Sequence, residues 1–367
     1  MKAVAVFPKS REVRVIDVPE PRLRAPTEVR VRTLEVGVCG TDQEIAEFRH
    51  GAPPEGEDFL IVGHEALGEV VEVGAQVKDV KPGDLVVPRV RRPCPHEACL
   101  ACRSGNPDFC VTGDYLERGI QKAHGFCTEF FVEEAAYLHP VPSTLRGVAV
   151  LTEPLTIAEK ALRELDALKR RLPWKTEPGQ AVVLGAGPVG LLGAMAFKRA
   201  GHATTVYSRS PKPNSKAEVA EAVGAPYLSS KEVSAEALAR RLGSVDVVYE
   251  AAGAAKASFE VLKVLGPNGV FIFTGVPGRK EPLELEGSAL LKQLVLKNQL
   301  VLGTVNASAG DFQAALEDLG HFLKQWPGPL KALLTERHPP EAFHQVVTGK
   351  TGGIKHIIRF AREEPTR

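Results

Sequence analysis

The sequence predicts an α/β protein in which a mostly β domain is followed by a doubly wound parallel sheet, and three observations lead there. The chain has 367 residues, long for one domain at the usual ~100–200 residues each. Its first third carries short runs that alternate apolar and polar residues between turn signals. From residue 149 onward, strand-like and helix-like segments alternate instead, the pattern of parallel strands with helices on both faces.

The early runs VRVIDV, VRVRTLEVGV, LGEVVEVG and DLVVPRV read as strands of a small, twisted, mostly antiparallel region, with a turn at Lys81-Pro82-Gly83-Asp84. Residues 91–125 show little periodicity and hold most of the cysteines, so they read as a loop lobe that needs a staple. A helix is expected over 155–171 and an apolar strand over Ala181–Leu184. Then follow a helix at 188–200, the strand ATTVYSR, a helix at 215–223, the strand DVVYEAAG, a helix at 255–264 and the strand GVFIFTGV. The mixed pattern after 307 rejoins the first domain. The expected division is therefore 1–148 with 307–367 for the β domain, and 149–306 for the second.

Composition narrows the function. Forty-six basic and 45 acidic residues give a net charge of +1, which points to no nucleic-acid or membrane partner. No run approaches the ~20 apolar residues of a membrane span. The start MKAVAVFPKSREVRV has no apolar signal core before its first charges, so a cytoplasmic address is expected. In that reducing setting the six cysteines read as metal ligands sooner than as disulfides.

Residues 181–190 read AVVLGAGPVG. Gly185, Gly187 and Gly190, with Pro188 and Val189 between the last two, follow an apolar strand and open a helix. The first glycine permits a tight turn, the second admits a pyrophosphate, and the third lets helix and strand pack closely. The helix N-terminus then offers unpaired N–H groups to phosphate. The second strand ends in Ser208-Arg209-Ser210 with no carboxylate. An acid there would select NAD; Arg209 instead attracts a 2′-phosphate. NADP is the expected cofactor, with use of NAD as well left open.

Two metal sites are expected. Cys39-Gly40-Thr41-Asp42 lies upstream of Gly63-His64-Glu65. Thiol, imidazole and carboxylate suit a catalytic zinc, whose three protein ligands leave a position for water or substrate. Cys94, Cys99, Cys102 and Cys110 form C-x4-C-x2-C-x7-C, a set suited to a closed structural zinc that orders a lobe too small to bury a core. His96 is an alternative to Cys94. Asp42 reads as an orienting group for His64 or a turn cap, and His124 as a packing partner of Phe126.

Together the GHE-x2-G-x5-G segment, the upstream C-G-T-D, the four-cysteine lobe and the late VLGAGPVG resemble the zinc-containing medium-chain alcohol dehydrogenases over nearly the whole chain. Arg91-Arg92-x-Cys94, the segment Asp114–Ile120, His124-Gly125-Phe126, Glu153-Pro154-Leu155 and Gly303–Asn306 are similar to the archaeal-type glucose dehydrogenases. The resemblance implies a GroES-like β domain and a Rossmann domain with the active site between them, and two zinc ions per chain. It implies Cys39 and His64 as catalytic zinc ligands, with Glu65 and Glu153 sharing the remaining protein positions. Thr41 would bond a sugar hydroxyl or pass on its proton, and Glu117 and Glu153 would grip sugar hydroxyls. Asn306 would lie near nicotinamide and substrate, and Ser208 and Arg209 would hold the 2′-phosphate. The reaction implied is oxidation of an aldose at C1, glucose or galactose, to the lactone by a homodimer or homotetramer. The sequence departs from the sugar-dehydrogenase pattern at Val90, where Asn can occur, and at Leu296, where His is expected. The rival readings are a polyol or L-threonine dehydrogenase with the same zinc chemistry, and a silent NADP(H)-binding relative. Silent relatives lose the zinc ligands, which this chain keeps.

Overall fold

The computed structural model describes residues 1–278, 282–349 and 352–360. Its contacts divide the chain into two compact units. The first comprises Met1–Glu153, Asn306–Lys324 and Lys331–Arg367; the second comprises Pro154–Val305 and Gln325–Leu330. Glu153 thus groups with the first unit, a few residues beyond the expected boundary, and residues 361–367 of the expected β domain lie outside the described residues.

The first unit is built on one large sheet. In spatial order its strands are Leu138–Val141, Leu85–Pro88, Glu65–Val73, Glu28–Gly37, Lys355–Arg359 and Leu334–His338, with Phe130–Glu134 also paired to Glu28–Gly37. Alternation in these strands sends Val29, Val31, Val70 and Val86 inward, where they meet Phe126, Phe131 and Phe343 in one core. Pairing is antiparallel except between the last two strands, which run parallel. The late return of the chain contributes these strands, so residues more than three hundred apart in sequence become sheet neighbours. At the expected turn, Asp84 accepts from the Lys81 N–H at 2.9 Å and Gly83 takes φ +93°, which a side chain would oppose.

The 91–125 lobe carries more order than its lack of periodicity implies. Arg91–Arg92, Leu116–Arg118 and Lys122–Ala123 form a small sheet, and a single helical turn spans Leu100–Arg103. Alternation signals fail here because two- and three-residue strands are too short to repeat the two-residue period.

The second unit holds six parallel strands in the order Tyr227–Ser229, Ala203–Ser208, Gln180–Leu184, Val245–Glu250, Leu265–Phe273 and Leu300–Gly303. This is the 3-2-1-4-5-6 order of a dinucleotide-binding sheet, with its switch point beside Gln180–Leu184. Helices Pro188–Arg199, Ser215–Ala222 and Ala255–Leu262 match the expected segments closely. The helix Ala235–Leu242, capped by Ser234, and the helix Gly287–Leu296 were not foreseen. The first sets a narrow stripe of Ala235, Leu238 and Leu242 against the core within a charged, alanine-rich stretch, and the second buries none of its residues. No helix among the described residues is long and apolar enough to cross a membrane.

Candidate active site and cofactor turn

In the first unit, sheet register assembles a cluster from distant positions. Glu65 sits opposite Gly37, and Ile357 opposes Gly37 from the other side. A Cβ at Gly37 would lie 2.1 Å from Glu65 Oε2 and 2.9 Å from Lys355 Cε. The missing side chain therefore makes the space in which Glu65 and Lys355 form a fully buried ion pair. The chain then turns at Cys39 into the short helix Gly40–Ala46. Cys39 is its cap: its sulfur accepts from the Thr41 N–H at 3.3 Å, while Asp42 Oδ2 accepts from the Cys39 N–H at 2.9 Å. The cap thus fixes the thiol and places the Thr41 side chain in the same turn.

His64, next to Glu65 in sequence, turns Nε2 to within 3.1 Å of Cys39 Sγ. On the other side of its ring, Nδ1 lies 3.6 Å from Asp42 Oδ1. Donor atoms of Cys39, His64 and Glu65 all fall within 4.8 Å of one another. Asp42 is wholly buried and accepts no hydrogen bond at Oδ1, so it both caps the turn and faces the imidazole.

The electrostatics are those of donors packed together without water. Burial pushes the Cys39 thiol up, against the pull of His64. Burial would lower the His64 imidazole, but the neighbouring Cys39 and Asp42 lift it well above its ordinary value. Desolvation and the Glu65 carboxylate raise Glu153, in the first turn of the helix Thr152–Lys169, to about 7. Burial pulls Lys355 down, but Glu65, Cys39 and Glu153 together raise it above its ordinary value, so it stays charged. A soft thiolate, an imidazole and carboxylates are donors that zinc accepts. A dication among them would relieve the repulsion between Glu65 and Glu153, so the residues present fit a catalytic zinc.

Glu117 and Asn306 also meet in this unit. Glu117 Oε1 accepts from Arg91 Nε at 3.0 Å, Arg91 Nη2 at 2.9 Å and Asn306 Nδ2 at 2.9 Å. Asn306 takes φ +60°, a conformation asparagine tolerates. Arg91 is buried and lies 3.7 Å from the centroid of the Tyr115 ring, so Glu117 is a fixed, charge-compensated group. Arg92, beside it, pairs instead with buried Glu133.

The four cysteines of the lobe gather with all sulfurs within 4.8 Å. Cys99 and Cys110 stand 3.9 Å apart, near the ~3.8 Å sulfur–sulfur edge of a tetrahedron with ~2.3 Å Zn–S bonds. All six cysteines of the chain are free thiols. His96 lies outside the cluster, 3.0 Å from Asp114. Thr112 and backbone donors outweigh burial at Cys110 and bring its thiol down to about 6, while burial pushes Cys102 up to about 12. Such a spread fits a set that a metal would hold as thiolates. His124 stacks on Phe59, with centroids 5.1 Å apart, rather than on Phe126.

In the second unit, Gly185 takes φ +112°, and a Cβ at Gly190 would lie 2.2 Å from the Gly185 carbonyl oxygen. Strand and helix therefore meet at a separation only glycine permits. Gly187 caps the helix Pro188–Arg199 without a side-chain hydrogen bond, and a Cβ there would meet nothing within 4 Å. The helix N-terminus, with Pro188 and Val189 in its first turn, therefore has no side-chain cap to compete with a pyrophosphate. Ser208 ends its strand, and the loop after it is held by its main chain: Ser229 donates to the Arg209 carbonyl at 3.0 Å and Tyr227 to that of Ser210 at 2.7 Å. The Arg209 and Ser210 side chains are left exposed.

Three residues escaped sequence reasoning. Lys355 has no local signal, because the strand KHIIR is basic at both ends and only its pairing with a distant strand decides which end is buried. Arg91 shows in the sequence only as part of the Arg91-Arg92-x-Cys94 segment. Glu250, wholly buried, accepts from the Ala252 and Gly253 N–H groups at 2.9 and 2.8 Å and so ties down the turn after its strand.

Comparison with known proteins agrees with this architecture. Residues 25–143 match the alcohol dehydrogenase GroES-like domain, and residues 146–360 match the glucose dehydrogenase C-terminus. The glucose 1-dehydrogenase of Thermoproteus tenax is 41% identical over 98% of this chain and 99% of its own. That of Methanocella arvoryzae is 39% identical with the same coverage. The solved Haloferax mediterranei glucose dehydrogenase, in complex with NADP, Zn and gluconolactone, superposes with a TM-score of 0.87 at 34% identity, covering 99% of this chain and 100% of that one. With relatives this similar along essentially its full length, the chain belongs to the glucose dehydrogenase family, on the GroES-like alcohol dehydrogenase scaffold.

Proposed function

We propose that this chain oxidises the C1 hydroxyl of an aldose, glucose or galactose, passing a hydride to NADP⁺ and giving the aldonolactone. The observation that carries the reading is the convergence of the Cys39, His64 and Glu65 donor atoms within 4.8 Å. The relatives named glucose 1-dehydrogenase and the Haloferax complex support the choice of sugar and cofactor.

Cys39 and His64, with Glu65 or Glu153, would hold a zinc ion that supplies Lewis acidity to the substrate hydroxyl. Asp42, whose Oδ1 faces His64 Nδ1 across 3.6 Å, is placed to orient the imidazole, the role that partners of ligand histidines play. Lys355 balances Glu65, and the Glu153 carboxyl, near 7, can accept or release a proton at neutral pH. Thr41 bonds a sugar hydroxyl or relays its proton. Every contact described for Glu117 falls on Oε1, which leaves Oε2 for a sugar hydroxyl, and Asn306 lies beside it. A site built to bond hydroxyls rejects analogues without them.

The turn Gly185-Ala186-Gly187-Pro188-Val189-Gly190 receives the pyrophosphate, and Ser208, Arg209 and Ser210 receive the 2′-phosphate, so NADP⁺ is preferred to NAD⁺. Cys94, Cys99, Cys102 and Cys110 hold a second, structural zinc. The protein works in the cytoplasm, where free thiols persist, as a homodimer or homotetramer. Support for self-association comes from the edge strand Leu300–Gly303 and the helix Gly287–Leu296, which expose Leu291, Val295, Leu296 and Val301; exposed large apolar side chains on a sheet edge suit an interface.

The test is initial rate with D-glucose, D-galactose, D-xylose, sorbitol and L-threonine, each with NADP⁺ and NAD⁺, with and without a zinc chelator. Chelator-sensitive NADP⁺ reduction by an aldose is expected. Turnover of sorbitol or threonine alone would replace the substrate and keep the zinc reading. Tight NADPH binding with no turnover would make the chain a silent relative.

A further inference from the structure

A third group of donors lies apart from both clusters, on the parallel strands Leu334–His338 and Lys355–Arg359. Glu336 and His338 are two residues apart and share a face, and His356 lies opposite Glu336 in register. A register irregularity between Leu334 and Glu336 sets this pairing. His338 Nε2 lies 3.1 Å from His356 Nδ1 and 3.5 Å from Glu336 Oε2. The three donor atoms fall within 4.8 Å of one another.

From this geometry we propose that Glu336, His338 and His356 bind a further divalent transition-metal ion, of the zinc, nickel and copper class, at the edge of the sheet. Two imidazoles and a carboxylate are borderline donors that suit these ions and not magnesium or calcium. With metal–nitrogen bonds of ~2.0–2.1 Å, two nitrogens on one ion stand about 2.9 Å apart in an octahedron and about 3.3 Å apart in a tetrahedron; the 3.1 Å observed lies between. A proton shared between the rings satisfies one lone pair, whereas a dication on the same spot satisfies all three donors.

Nearby cations do not compete for the place. Arg337 and Arg359 alternate to the opposite face, where both pair with Glu35, and Lys355 is taken by Glu65. Glu336 is largely exposed, so the ion has an open approach and keeps water in its remaining positions. The strand that would hold it is tied to the Cys39 cluster. The His356 carbonyl accepts from the Val38 N–H at 3.0 Å, one residue before Cys39, and Lys355 precedes His356. A bound ion would brace that strand pair.

Intact protein, dialysed without chelator so that tightly held zinc remains, is titrated calorimetrically with NiCl₂, and nickel and zinc are counted in the product by mass spectrometry. Wild type is expected to take up one nickel equivalent without losing zinc and to gain thermal stability on addition of nickel, by linkage. H338Q and H356Q are expected to lose that equivalent and the shift in Tm, and E336Q to bind at least tenfold more weakly. Glu336 is exposed, so E336Q decides together with H338Q if H356Q fails to fold. Absence of the equivalent in wild type, nickel uptake matched by zinc release, or unchanged binding in H338Q and E336Q would each overturn the proposal.

Discussion

The four-cysteine lobe and the Cys39 cluster are both sets of metal donors in the same unit, yet they are assembled in opposite ways. Cys94, Cys99, Cys102 and Cys110 lie close together in sequence, on turns with hardly any core of their own. Cys39, His64 and Glu65 are delivered by a helix cap and a sheet register, with Lys355 arriving from the far end of the chain. With hardly any core, the lobe would depend on a bound metal for its order. The Cys39 cluster has its order imposed by the sheet, and a metal there gives chemistry. Substitutions in the two places should therefore fail differently.

The largest effect is expected at Cys39 and His64. C39S or H64A removes a donor from the Lewis-acid site, which is worth several kcal/mol, so kcat should fall by about a thousandfold or more. Circular dichroism and NADPH affinity should be close to wild type. A variant that unfolds would break the comparison, because it would show that this cluster too is held together by its metal.

C99S should give the reverse pattern. One zinc equivalent is lost, and the lobe has no apolar core to fall back on. A fall in Tm on the order of 10 °C is expected, from several kcal/mol at about 2–4 °C per kcal/mol. Activity should be lost in step with the folded fraction on heating. A normal Tm with a thousandfold loss of kcat would assign the lobe a direct part in catalysis.

The same contrast explains what the sequence discloses. The cysteine lobe and the Gly185–Gly190 turn are legible because their chemistry is local: spacing alone sets which atoms can meet. The four inner strands of the parallel sheet are legible because half or more of their residues are apolar, whereas the three- and four-residue edge strands Tyr227–Ser229 and Leu300–Gly303 are too short to stand out. His64 and Cys39 can be recognised as ligand types, but not the lysine that balances Glu65, since strand pairing across most of the chain is invisible to local pattern. The same holds for Arg91 and Asn306 meeting at Glu117. The short strands around Glu117 escape because they are too short to repeat an alternation, Ala235–Leu242 because its stripe is narrow and set among charges, and Gly287–Leu296 because it buries none of its residues.

A smaller effect is expected at Arg209, in the other unit. R209A removes a charge-assisted contact to a 2′-phosphate, worth about 1.5–3 kcal/mol. KM for NADP⁺ should rise about ten- to a hundredfold, with KM for NAD⁺ and kcat for glucose little changed. Equal losses with both cofactors would mean that Arg209 shapes the loop rather than reading the phosphate.

The smallest effect sharpens the comparison by removing a confounder. Acid strips zinc from cysteine and histidine ligands, so loss of stability on acidification invites a metal explanation. His139 offers another. It stacks on Phe312 with ring centroids 5.2 Å apart, and its Nε2 is buried without a hydrogen-bond partner among the described residues. Burial, aided by Arg89, lowers its pKa from 6.5 to about 4. Its folded form therefore resists protonation that the unfolded chain accepts. The stability this gives is fully present above pH 6.5 and drains away as pH falls towards 4. Its size is at most about 3 kcal/mol at 1.36 kcal/mol per unit. Replacing His139 by the similarly apolar but non-titrating Leu should flatten stability across that window while zinc content at each pH stays as in wild type. If H139L follows the wild-type curve instead, the acid sensitivity belongs to the metal sites, and the lobe is the first place to look for it, because it has the least structure to retain when its ligands are protonated.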